Sequence, residues 1–353
     1  MTSKIIGVGN CIPSETITNL FFDKHIFLDD KGVLLKDNNF AITEKLKKIT
    51  GIEERRYANR EQVTSDLGLI AAQAAIEDSG IDPESLDYII FAHNFGDVRF
   101  GTVQSDMVPS LAARVKHSLK IKNNLCVAYD VLFGCPGWIE GVIQANAFIK
   151  ANIARRCLVI GAETLSRVVD IHDRDSMIYA DGAGAVIIEA NEKDDSGIKS
   201  HLSSSHTYEE KDYLYFGKSY NNDGCQDTKY IKMDGRKIYE FALLNVPDAM
   251  RKCLDQSGYG IHDITKIIIH QANEKMDEAI VNRFYQLYKV TAPDNIMPMV
   301  IHKLGNSSVA TIPSLLTMIL KGELKEHSIE KDDIVLFASV GAGMNINALI
   351  YKF

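Results

Sequence analysis

An α/β architecture of two similar halves follows from three features of the amino-acid sequence. Strand-like apolar runs alternate with helical patterns along the whole chain, which is the pattern of layered α/β proteins. Two stretches recur. Residues 79–92, ending Leu86-Asp87-Tyr88-Ile89-Ile90-Phe91-Ala92, return in outline as Gly260-Ile-His-Asp-Ile-Thr-Lys-Ile-Ile-Ile-His270, and Asp181-Gly-Ala-Gly-Ala-Val-Ile-Ile-Glu189 is echoed by Gly341-Ala-Gly-Met-Asn-Ile-Asn-Ala-Leu-Ile350. The length of 353 residues leaves room for two lobes, at roughly 100 to 200 residues each. With 46% hydrophobic and 24% charged residues the composition is that of a folded globular protein, not a rod or a disordered tail. The expected division is residues 1–190 for an N-terminal half, 191–232 for a polar connecting region, and 233–353 for a C-terminal half.

In chain order, strands are predicted at residues 88–92, 126–132, 157–161, 185–190, 267–270 and 334–338. The strand at 126–132 runs through Phe133-Gly134-Cys135-Pro136-Gly137 into an apolar helix. Proline favours the first helical position, so Pro136 puts Cys135 at the helix cap. There the positive end of the helix dipole is expected to lower a thiol pKa, and the flanking glycines give a ligand access. Taken alone, Cys135 reads equally well as a buried cysteine at a helix start.

Residues 191–232 are rich in Ser, Asp, Lys and Tyr and read as the connection between halves, with room for short strands. The strand at 267–270 places His270 at its carboxyl end, where ligands and catalytic groups gather in open α/β sheets, directly before a helix at 274–288. Asn306, in Gly305-Asn306-Ser307-Ser308, precedes a helix at 309–321, and by itself serves equally as a helix cap. The other five of the six cysteines are spread without paired spacing, which argues against zinc and against disulfides; they read as small packed residues.

Together, Asp130-Val-Leu-Phe-Gly-Cys135, His270-Gln-Ala-Asn273 and Gly305-Asn-Ser-Ser308 resemble, in order and spacing, the motifs of the β-ketoacyl-acyl carrier protein synthase III family. The resemblance extends through Thr50-Gly-Ile-Glu-Glu-Arg-Arg56 and Tyr179-Ala-Asp-Gly to the last residue. It implies a thiolase-like five-layered αβαβα fold, a homodimer, and a decarboxylative condensation of an acyl thioester with malonyl-acyl carrier protein, in fatty acid or related lipid or polyketide biosynthesis. By the same resemblance Cys135 is the acylated nucleophile, and His270 and Asn306 donate hydrogen bonds to the malonyl thioester oxygen. The amides of Cys135 and Ala342 form the oxyanion hole. Arg174, Lys275 and Arg283 are implied as substrate or carrier contacts, with Lys275 and Arg283 on the helix after His270.

Two departures stand out. The family members that prime from coenzyme A stack adenine between an arginine, matched here by Arg174, and a tryptophan, whose position falls on Lys45. The loop at 95–107 is also longer. A specialised ketosynthase resembling those that build dialkylresorcinols, or an ester-forming acyltransferase on the same scaffold, is the alternative. A thiolase would need a second cysteine in the loop at 339–345, which has none.

The net charge of −8 excludes broad nucleic-acid binding. No apolar run reaches the roughly 18 residues of a membrane helix, and residues 1–9 lack a signal-peptide pattern. A cytoplasmic enzyme is expected, with no metal and no resident cofactor, its substrates arriving as thioesters of acyl carrier protein and possibly of coenzyme A.

Overall fold

The computed structural model describes residues 2–222 and 227–353. Two mixed sheets carry the fold. The first contains β1 (Thr2–Cys11), β2 (Tyr88–Ala92), β3 (Val127–Val131), β4 (Arg156–Thr164) and β5 (Asp181–Asn191) in the order β1-β5-β4-β2-β3. The second contains β6 (Gly197–Ser205), β7 (Ile264–Ile269), β8 (Ile334–Gly341) and β9 (Asn345–Lys352) in the order β6-β9-β8-β7.

The two orders superimpose strand for strand. In each sheet the first two pairings are antiparallel and the next, β4 with β2 or β8 with β7, is parallel. β2 therefore corresponds to β7 and β5 to β9, which are the two recurrences in the sequence. The place of β3 in the second sheet is taken by the segment at Ile296, whose carbonyl accepts the Ile267 amide at 2.9 Å. The strands form where expected, to within a few residues. β6 lies inside the region read as a connection: its outer half, Ser-His-Leu-Ser-Ser-Ser, is polar enough to pass for a loop, yet it pairs with β9 over its whole length.

Seven main helices complete the layers: α1 (Asn39–Thr50), α2 (Thr64–Ser79), α3 (Leu111–Ser118), α4 (Gly137–Lys150), α5 (Gly235–Asp255), α6 (Glu274–Leu287) and α7 (Thr311–Leu320). α2 and α3 cover the outer face of the first sheet, while α5 and α6 cover the outer face of the second. α4 and α7 lie between the sheets, where Ile139, Val142, Leu315 and Leu316 meet Val159 and Val186 of one sheet and Ile268 and Phe337 of the other. The result is five layers, α-β-α-β-α.

Parallel strands covered on both faces read as unbroken apolar runs, and β2 and β7 do so. Ile89, Ile90, Phe91, Ile267 and Ile268 are fully buried, each contributing about 1.5 to 3 kcal/mol. The surface helix α6 instead alternates, burying Met276, Ile280, Val281 and Phe284 and exposing Lys275, Glu278, Asn282 and Arg283. Among the described residues no helix is long and apolar enough to cross a membrane. Cys11, Cys126, Cys157 and Cys253 are buried free thiols, and Cys225 lies outside the described residues.

Candidate active site

Each central helix begins at the same place. α4 is preceded by the turn carrying Cys135 and α7 by the turn carrying Asn306, one from each half; His270 follows β7. All three line one pocket of about 1140 Å³.

The Cys135 turn is set by Gly134, whose φ of 67° lies in the left-handed region. A Cβ there would stand 2.7 Å from the Ala342 nitrogen, and one on Gly341 would stand 2.4 Å from the Cys135 nitrogen. The two loops thus touch backbone to backbone, bringing the amides of Cys135 and Ala342 to the same wall. Ala342 keeps a helical φ, and Gly343 takes the left-handed value of 74°. The Asn345 carboxamide fastens the pair, donating to the Phe133 and Ala342 carbonyls at 3.4 and 2.9 Å. Pro136 occupies the cap, since its carbonyl accepts the first amide of the helix, that of Glu140, at 3.0 Å; Cys135 stands one residue earlier than its sequence suggests, although the φ and ψ of Pro136, −68° and −7°, are already helical. Asp130 of the same motif is structural: its carboxylate accepts the Leu111 and Ala112 amides at 2.8 Å each and fixes the start of α3.

Asn306 is held by the other half of the chain. Its amide donates to the Ile178 carbonyl at 3.0 Å and its carbonyl accepts from Ala180 at 2.8 Å. Gly305 is required here: its φ is 69°, and a Cβ would lie 2.7 Å from that of the fully buried Arg55. Oδ1 of Asn306 accepts the Ser308 amide at 2.8 Å. That fixes the amide's orientation, and Nδ2 donates to no described residue.

Ser308 is the hub that sequence reasoning missed. Held at a φ of 52°, unusual for a residue with a Cβ, it donates its hydroxyl to Cys135 Sγ at 3.2 Å. Asn94 Nδ2 reaches both Ser308 Oγ at 3.1 Å and Glu163 Oε1 at 2.5 Å. Its presence in the Gly-Asn-Ser-Ser motif was the only signal available. His270 is buried, with Nδ1 2.7 Å from Thr311 Oγ1.

Burial dominates the electrostatics. It pushes the Cys135 thiol up to about 12, with the Ser308 hydrogen bond acting in the opposite sense. The resting sulfur is therefore a thiol, where the helix start had suggested a lowered pKa. Burial pulls the His270 imidazole down to about 4, so the ring is neutral at pH 7. It also pushes the Glu163 carboxyl up to about 8.

The remaining candidates lie farther out. Arg174 lines the pocket at its exposed rim, 3.6 Å from Asp175. Lys275 and Arg283 are exposed on α6, outside the pocket, and neither meets an acidic side chain among the described residues. Lys45 bonds Asp37 at 2.6 Å and does not line the pocket; from α1, Leu46 and Ile49 do. Trp138 is buried in the central layer beside Phe337. A pocket wall unforeseen in the sequence comes from the region read as a connection, where the hairpin Leu214–Lys218 with Lys229–Met233 contributes Leu214, Phe216 and Ile231.

The family model described as 3-oxoacyl-[acyl-carrier-protein (ACP)] synthase III matches residues 129–206, and its C-terminal counterpart matches residues 254–353. The β-ketoacyl-[acyl-carrier-protein] synthase III of Aquifex aeolicus is 30% identical over the whole of both chains. That of Ehrlichia canis is 32% identical over 97% of this chain and 96% of its own. The crystal structure of 3-oxoacyl-[acyl-carrier-protein] synthase III from Aquifex aeolicus superposes with a TM-score of 0.81 at 29% identity, covering 99% of this chain and all of the other.

Proposed function

Because the chain belongs to the 3-oxoacyl-[acyl-carrier-protein] synthase III family, we propose that it condenses an acyl thioester with malonyl-acyl carrier protein, with loss of carbon dioxide, in fatty acid biosynthesis. The observation that supports the division of labour is that Cys135, His270 and Asn306, from turns of both halves, line one pocket.

In the first step Cys135 Sγ attacks the acyl thioester. The Cys135 and Ala342 amides receive the developing oxyanion, and the thiol of the donor leaves. In the second, the malonyl thioester loses its carboxylate, and the unpartnered Nδ2 of Asn306 donates to the enolate oxygen as charge builds there. The enolate carbon then attacks the acyl carbonyl and frees the Cys135 sulfur. His270 lines the same pocket.

Intact-mass measurement after mixing with acyl thioesters tests the assignment. The wild type gains the acyl mass and releases it as β-ketoacyl product on adding malonyl-acyl carrier protein. C135A gains none. N306A keeps its acyl group and loses the condensation on the order of 100- to 1000-fold. Acyl mass on C135A removes Cys135 from the role.

For the donor, Lys45 stands at the position where the relatives that prime from coenzyme A carry the tryptophan paired with Arg174, which favours carrier protein over coenzyme A. From α1 the pocket receives the aliphatic Leu46 and Ile49. Acylation of Cys135 by acyl-coenzyme A as fast as by acyl-carrier protein would reverse that preference.

The enzyme is a homodimer in this reading. β3 ends the first sheet with no partner on its outer edge among the described residues, flanked by exposed Val108, Leu125 and Leu132, a row of open hydrogen-bonding groups that a second copy can complete. Sedimentation at twice the chain mass of 39.3 kDa is expected, and a monomer at micromolar concentration overturns it.

A further inference from the structure

Two polar groups of the pocket take no part in the transfer or the condensation. Asn94 follows β2 and lines the pocket. Its carboxamide touches Ser308, whose hydroxyl owns one hydrogen and directs it at Cys135 Sγ, 3.2 Å away. Ser308 Oγ therefore meets Asn94 as an acceptor, and the end of the amide that faces it at 3.1 Å is Nδ2. The second hydrogen of Nδ2 goes to Glu163 Oε1 at 2.5 Å. Oδ1 is left over, and among the described residues nothing donates to it. A lone pair thus stands open with only the Ser308 hydroxyl between its amide and the nucleophile.

Tyr179 supplies the second group. It lines the pocket just before β5 and is 4% exposed, and its hydroxyl has no partner among the described residues. Burial, then the neighbouring Asp175, Cys135 and Asp173, hold the phenol well above its ordinary range, so at neutral pH it keeps its proton. Tyr179 packs with Leu165 and Ile231, and Phe95, next to Asn94 in the chain, packs against that cluster. Those three apolar residues line the pocket too, so the two polar groups share an apolar surround near Cys135.

An unsubstituted alkyl chain on Cys135 covers both groups and answers neither, and a buried donor or acceptor without a partner is costly. A hydroxyl answers both, giving its hydrogen to Asn94 Oδ1 and accepting that of the Tyr179 phenol. A ketone has no hydrogen for Oδ1, so its lone pairs face those of the amide. The gap from Sγ to the amide is the width of one hydroxyl, which the first carbons of the chain span. The third carbon is the nearest that is not bonded to the reacting carbonyl. Building on the reading of Cys135 as the acylated nucleophile, we infer that the acyl group it takes is a 3-hydroxyacyl, and that Asn94 and Tyr179 are the residues that select it. The hydroxyl stays on the chain through both steps. The rest of the chain lies along Leu165, Leu214, Phe216 and Ile231.

The test gives the full-length enzyme octanoyl, 3-oxooctanoyl and 3-hydroxyoctanoyl thioesters of acyl carrier protein, the last as each enantiomer, and times the mass gained at Cys135. The better 3-hydroxy enantiomer acylates with a kcat/KM about tenfold above octanoyl, and the 3-oxo form does not exceed octanoyl. Y179F and N94A each bring that ratio close to one; a ratio, unlike a rate, is not moved by a general weakening of the site. Binding of the octanoyl and 3-hydroxyoctanoyl amides of pantetheine, which cannot transfer, shows the same preference without any chemistry at Cys135. A wild type that takes octanoyl as fast or faster overturns the inference, and so does a preference that both variants keep. If N94A fails to fold, the wild type and Y179F still decide. An enzyme that gains no acyl group from any thioester sinks the proposed function instead, and the pair of amides then decides whether the hydroxyl is recognised.

Discussion

Glu163 shows what a single buried residue can carry without being visible in the sequence. It sits at the end of β4 with no exposure; Oε1 receives the Asn94 amide, and Oε2 has no partner among the described residues. Desolvation pushes its pKa up to about 8, with the Asn94 hydrogen bond pulling the other way. A carboxyl whose folded pKa lies above its unfolded one binds more protons in the native state. Stability is therefore lost as pH rises from the unfolded value toward about 8, and the loss is complete above it. E163Q carries no charge to desolvate. It should match the wild type near pH 4.5 and exceed it by up to about 5 kcal/mol above pH 8 in urea unfolding; a gap that is constant with pH contradicts the buried charge. Nothing in Gly161-Ala-Glu-Thr164 announces any of this, because the partner of Glu163 is Asn94, brought in from a distant part of the chain by topology. Asn306 was legible in outline. Its cap-like bond to the Ser308 amide is the helix-cap reading, and the same bond leaves Nδ2 without a partner among the described residues, as the donor role proposed for it requires.

At the scale of elements, apolar runs buried on both faces announce themselves, and β2, β4, β7 and β8 were readable for that reason. The shift of one residue at Pro136 reflects how weakly sequence marks a helix boundary. β6 and the pocket hairpin fall in the region read as a connection with short strands, but their bounds and partners were not readable, because edge and surface strands carry polar residues and alternation gives no signal. The Cys135 turn illustrates two demands on one glycine. Gly134 needs a left-handed φ and also has no room for a Cβ, whereas Gly80, at the end of α2 with a φ of 66°, faces open space. G134A should lose at least about 100-fold in acyl transfer, because Ala342 and its amide must move. It should also lose about 1 to 3 kcal/mol of stability. G80A carries only the backbone penalty, about 1 kcal/mol, with activity retained. Equal activity in the two variants would separate the Gly134 turn from catalysis.

For the molecule as a whole, the net charge of −8 opposes approach of an acidic carrier protein, so encounter depends on local basic surface. If the carrier docks on α6, whose first turn carries Met276 of the pocket lining, Lys275 and Arg283 supply that surface. Reversing both to Glu should lower kcat/KM for malonyl-carrier protein by about tenfold at low salt and less at high salt, while acylation from a small thioester stays normal. Equal loss with both substrates would point to damage to the fold. The two halves were legible as recurrences, since β2 with β7 and β5 with β9 are equivalent strands; their mutual packing was not, because no local pattern records which helices lie between two sheets. The one tryptophan of the chain, Trp138, stands in that shared layer on a helix of the first half, its ring 6.4 Å from Phe337 of the second. The protein thus contains a single tryptophan reporter at its own seam: its emission, excited at wavelengths where the 14 tyrosines do not absorb, follows the parting of the halves and can be timed against the loss of Cys135 reactivity to learn which goes first.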